Sequence, residues 1–146
     1  MAKSFVSGLD QLGERMRTLE PKRALGACVS ATGTAARMVR DAAKDNVRRS
    51  PSIETGSLLE AVIVKKVPKS QTSLTSEHLV TVRGRGKPAN KKGQKIARAP
   101  HAHFVEEGTV KMPPEPFLRP ALDHNVGKAV EIMVDRLDRR LIREGR

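Results

Sequence analysis

Between Pro21 and Pro51 the chain commits to one long helix. Leu25, Val29, Thr32, Ala36, Val39, Ala43 and Val47 recur every three or four residues, which is one stripe on a helix. Pro21 suits a first helical position, where its missing N–H goes unused. Ser50-Pro51 ends the run after Arg48 and Arg49, whose charges complement the C-terminal dipole. A helix over 21–49 extends about 43 Å at roughly 1.5 Å per residue, so everything else must be arranged along it. Gly26 and Gly33 each cost it about 1 kcal/mol relative to alanine. With Ala24, Ala27, Ala31, Ala35 and Ala36 they leave a small-residue face on which another helix can pack closely.

The remaining pattern is mixed. Phe5, Leu9, Leu12, Met16 and Leu19 predict a short amphipathic helix over 5–19. After Pro51, a turn at Thr55-Gly56-Ser57 leads into a strand over Leu58–Val67, carried by Val62, Ile63, Val64 and Val67. His78–Arg83 is a second β-like run, and a polar loop with Ser70, Thr72, Ser73, Thr75 and Ser76 separates the two. An antiparallel pair follows. Leu118, Leu122, Val126, Val130, Met133, Leu137 and Leu141 predict one C-terminal helix whose end carries Arg136, Arg139, Arg140 and Arg143. At 146 residues a single domain over 1–146 is expected. With three Phe and no Trp or Tyr its core must be aliphatic. Such a core predicts modest stability, aided by self-association.

Just ahead of that last helix the path is forced. His103-Phe104-Val105 is an apolar run long enough for a brief strand or one helical turn. Gly108 permits a positive φ and a sharp turn. Pro113, Pro114 and Pro116 then stiffen the chain and remove three N–H donors. Pro120 must stand in the first turn of the helix or just before it. The whole reads as a strut that aims a helix, or as an ordinary loop that locks one onto a core.

Charge is the strongest compositional signal. Lys and Arg number 28 against 16 Asp and Glu, a net +12 that suits nucleic acid or acidic protein surfaces without choosing between them. Arg83, Arg85, Lys87, Lys91, Lys92, Lys95 and Arg98 fall in one stretch with no acidic residue, predicting a basic flexible loop at about 84–100. It could neutralise phosphates without reading bases, reach an acidic neighbour, or merely be solvated. The lone Cys28 forms no internal disulfide and reads as a buried, inert thiol. No apolar run approaches the ~18 residues of a membrane span and no leader opens the chain, so a reducing cytoplasm is the expected place of synthesis and no membrane partner is expected. His101, His103, Glu106 and Glu107 lack a second converging His/Cys cluster, so no metal or other cofactor is expected. Adjacent Glu106 and Glu107 diverge on either element type, and no nucleophile elbow or phosphate loop is present, so no catalytic residue is assigned.

Three stretches together resemble a family of small bacteriophage neck or tail-completion proteins from the head–tail junction of long-tailed phages. Gly8-Leu9-Asp10 is similar to the opening of that family, and Pro51, Thr55, Gly56 and Leu58 to its central patch. The fullest likeness is Phe104, Val105, Glu106, Gly108 and Thr109 running through Pro116 into Phe117, Leu118, Arg119 and Pro120. Relatives usually place aromatics where His101 and Ala102 stand, and often at Glu107. The resemblance implies an α+β subunit, a small antiparallel sheet packed with a long central helix and a C-terminal helix. It also implies a structural virion protein and not an enzyme. Its subunits would form a homo-oligomeric ring, a hexamer, between head-closure proteins and the tail terminator or tail tube, surrounding the double-stranded DNA channel. The matched residues become its assembly candidates, and the basic stretch its candidate contact with DNA or an acidic partner. The rival is a nucleic-acid-binding protein of ribosomal or chromatin type, supported by charge alone.

Overall fold

A computed structural model describes residues 7–50, 56–68, 75–84 and 97–144. In chain order the elements are α1 (Ser7–Arg17), α2 (Pro21–Arg49), α3 (Gly56–Ala61), β1 (Val62–Lys66), β2 (His78–Val82), α4 (Ala102–Glu107), α5 (Leu118–Asp123) and α6 (Val126–Glu144). This is the expected α+β architecture, a two-stranded antiparallel sheet with a long central helix and a C-terminal helical region. Helix α2 has the bounds its prolines dictate, with Arg48 and Arg49 in its last turn. The Val67 N–H donates to the Glu77 carbonyl and the Arg83 N–H to that of Ala61. That register sets Val62 opposite Val82 and Val64 opposite Val80.

Two sequence expectations need correction. The strand expected over Leu58–Val67 begins only at Val62, because Gly56–Ala61 is helical. Leu58, Leu59, Glu60 and Ala61 are good helix formers, whereas β-branched residues start at Val62. The single C-terminal helix is two, broken at His124-Asn125. There the Asn125 Nδ2 donates to the Ala121 carbonyl at 2.9 Å and the Asn125 N–H to Leu122 at 3.0 Å, closing α5 locally. Leu122 and Val126, whose spacing of four suggested continuity, are both about half exposed, at 51% and 49%.

The described residues form two compact units. The first comprises α1, α2 as far as Ala36, Lys66–His78, and α6 from Gly127. Its buried side chains are Leu12, Ala24, Ala27, Ala31, Ala35, Ala129 and Leu141, mostly alanines that allow close approach but bury little area. Arg15 pairs with Asp138 at 3.0 Å, tying α1 to α6. Thr32 holds the Ser76 hydroxyl at 2.9 Å and His78 Nδ1 at 3.0 Å. Cys28 is half-buried here, and burial pushes its thiol pKa up.

The second unit comprises α2 from Arg37, α3, β1 to Lys65, β2 from Leu79, and the chain through α4 and α5 to Val126. Its core gathers Val39, Ala43, Val47, Leu58, Ala61, Val62, Ala102, Phe117 and Ala121. Phe117 and Val62 are its largest fully buried side chains.

Candidate functional site: a clamp that aims α5

The forced path of the sequence is built inside the second unit. Of the two forms open to His103-Phe104-Val105, the structure takes the helical one, within α4. Gly108 closes α4 with φ 75 and ψ 179, a conformation close to glycine-only. Its N–H reaches back to the Phe104 carbonyl at 2.9 Å. Space also requires glycine: a Cβ at this position would lie 2.7 Å from the Pro114 nitrogen. The chain then doubles back through a tight turn in which Thr109 and Met112 bridge. The Glu115 N–H donates to the Val105 carbonyl at 2.8 Å.

The Glu106 side chain completes the clamp. One oxygen accepts from the Phe117 and Leu118 N–H groups at 2.8 and 3.0 Å, and the other from Arg119 at 2.9 Å. A helix leaves its first four N–H groups without intrahelical partners. In α5 these belong to Phe117, Leu118, Arg119 and Pro120, and proline has none to satisfy. One carboxylate and one proline therefore account for the entire first turn, and the negative charge sits at the favourable end of the helix. Phe117 at the cap position offers no side-chain cap of its own.

Two further bonds hold the clamp to α2 and to Ser50, the residue just after it. The Asn46 Nδ2 donates to the Phe117 carbonyl at 3.1 Å, and the Ser50 hydroxyl donates to Glu115 Oε2. Buried to 1% exposure, the Phe117 ring anchors the assembly in the core. An open cleft of about 350 Å³ runs past Thr81, Ala99, His103, Glu107 and Leu118. Glu106 also lines it, with both carboxylate oxygens already accepting N–H groups, so it is poorly placed to move a proton there.

Of the sequence candidates, Phe104, Val105, Glu106, Gly108, Thr109, Pro116, Phe117, Leu118, Arg119 and Pro120 come together in this one construction. Gly56 opens α3 and Leu58 is buried beneath it, whereas Pro51 and Thr55 lie outside the described residues. Of the basic stretch, Arg85, Lys87, Lys91, Lys92 and Lys95 lie outside them too. Arg83 and Arg98 are half-buried, and the Arg83 backbone carbonyl accepts from the Ala99 N–H at 3.0 Å. His101 and His103 do not converge on a ligand. Their rings flank Phe104, with centroids 5.9 and 3.9 Å from its own, and no metal-holding group of side chains occurs among the described residues.

Sequence reasoning missed Asn46, Ser50 and Glu115 as parts of the clamp. The available signal was negative. A helix that opens Pro-Phe-Leu-Arg-Pro without Ser, Thr, Asp or Asn at its cap must find an acceptor elsewhere.

A family model described as "Bacteriophage HK97-gp10, putative tail-component" matches residues 10–108, about two thirds of the chain. The match ends on the clamp's glycine, so the proline turn, α5 and α6 lie beyond it. No curated protein and no solved structure matches the chain significantly.

Proposed function

Because the chain belongs to the HK97-gp10-like family of bacteriophage tail components, we propose that it is one subunit of a homo-oligomeric ring in the neck of a long-tailed phage. It is a phage structural protein of the tail or neck, and its place is the virion. In this reading the ring is six-fold, sits between the head-closure proteins and the tail terminator or tube, and surrounds the DNA channel. Its subunits are made in the host cytoplasm, and its work is assembly through shape-matched surfaces, without cofactor or turnover. The family match over residues 10–108 carries the reading. The clamp supports it, since a fixed helix direction is what a repeating interface requires.

Pro51, Thr55, Gly56, Leu58 and the clamp residues are the proposed assembly determinants. The basic residues from Arg83 to Arg98 are the proposed contact with channel DNA or with an acidic neighbour. Loss of the protein should leave DNA-filled heads and finished tails that fail to join. Duplex binding by the isolated subunit should be weak. Tight binding whose log–log salt slope steepens by about −0.9 per phosphate would instead favour the nucleic-acid-binding rival.

A further inference from the structure

Val110 is fully exposed, at 107%, and none of the described residues covers it. Yet it does not stand on a loose loop. The Thr109 N–H donates to the Met112 carbonyl at 2.8 Å, and the Met112 N–H returns to Thr109 at 3.2 Å. The Lys111 N–H donates to the Thr109 hydroxyl at 3.3 Å. Gly108 on one side and Pro113-Pro114 on the other fix both ends of the turn. Val110 and Lys111 are thus displayed at the tip of a preorganised knob. Covering an apolar side chain already held in place gains hydrophobic energy with little ordering cost.

The first unit offers a surface of matching chemistry. A shallow groove of about 380 Å³ between α1 and α6 is lined by Leu12 and Val134 and by Glu131, Asp135 and Asp138. Asp138 is paired with Arg15 and Asp135 with Arg139, whereas neither Glu131 nor Lys111 has an ion pair among the described residues. Arg15 is the groove's one basic lining residue, so three carboxylates set against it leave the groove locally negative in a chain of net charge +12. Such a groove favours a basic occupant, and the knob supplies one with an apolar residue beside its charge.

We infer that the Val110–Lys111 turn of one copy docks into the α1–α6 groove of the next, with Val110 against Val134 and the Lys111 ammonium against Glu131. The contact is head-to-tail, the kind that closes into a ring when its rotation allows. This inference rests on the ring reading above and adds the surfaces that build it. One valine is a small anchor, so the contact is weak between free subunits and accumulates only around an assembled ring.

Cysteine cross-linking in assembled necks tests it. In a Cys28→Ser background, Val110→Cys and Val134→Cys are combined, necks are purified from particles, and the thiols are oxidised. The expected result is a reducible ladder of multimers of this chain, absent from each single variant. Lys111→Glu and Glu131→Lys should each impair head–tail joining, and the charge-swapped double variant should restore it. Rings of this chain that give no ladder and tolerate Lys111→Glu would overturn the docking and leave the ring reading intact. Val110→Cys captured by a different neck protein would overturn it likewise. Necks without a ring of this chain would overturn both.

Discussion

Glu106 and Gly108 stand two residues apart and act on the same helix by different physics. Glu106 acts through hydrogen bonds, so Glu106→Ala leaves the Phe117, Leu118 and Arg119 N–H groups without their acceptor. By analogy with helix caps the loss is about 1–2 kcal/mol in chemical denaturation. Glu106→Gln, which keeps one acceptor oxygen, should lose less. Equal stability of the alanine variant and wild type would show the clamp to be incidental. Gly108 acts through backbone conformation and space. Gly108→Val must abandon a φ of 75 and move Pro114, at a cost on the order of 1–3 kcal/mol. Its particles should show packaged heads that fail to join tails, and a normal plaque yield would remove the argument. The glycine's role was legible because a turn before three prolines demands an unusual φ. Glu106's partners were not, since they lie more than ten residues along the chain and no local motif pairs them.

At the scale of elements, prolines were the most reliable guides. Pro21 and Pro51 bracket α2 correctly because their effects are local and do not depend on packing. The bulk of the apolar stripe misled in the first half of that helix. Leu25, Val29 and Ala36 are only half-buried, whereas the small residues Ala24, Ala27, Ala31 and Ala35 are buried. The buried apolar side chains from Ala27 to Val47 recur every four residues. Each such step drifts about 40° on a 3.6-residue helix, so a stripe that alternates steps of three and four does not follow it. Helix α3 and the break before α6 escaped for a related reason. Apolar spacing alone cannot separate a short helix from a strand, nor a continuous helix from one that Asn125 interrupts. The glycines of α2 give a paired prediction. A Cβ at Gly26 meets nothing, so Gly26→Ala should stabilise the protein by about 0.5–1 kcal/mol. At Gly33 the Cβ would lie 3.1 Å from His78 Nε2, on a ring that Thr32 already holds through Nδ1. Gly33→Ala should therefore be neutral or destabilising. Thermal melts of the two variants would decide, and equal stabilisation would mean that the imidazole moves freely.

The whole molecule has the chemistry of a part. Its core is poor in aromatics and rich in alanine, and its exposed apolar groups include Leu79, Phe104, Val110 and Leu122. Nothing in that set supplies a large hydrophobic anchor, so free subunits should sediment as monomers or small oligomers at micromolar concentration. A stable free dodecamer would contradict the expectation of weak, templated assembly. Replacing Lys91, Lys92 and Lys95 with Glu should impair joining or DNA retention and leave the melting temperature nearly unchanged. Infectious triple-mutant particles would reduce the basic stretch to solvated surface. Averaged electron micrographs of virion necks will decide whether this chain builds a ring at the head–tail junction. They should show a closed ring of this chain around the DNA channel. Necks that contain it only as a single copy, or joined particles that lack it, would rule out such a ring.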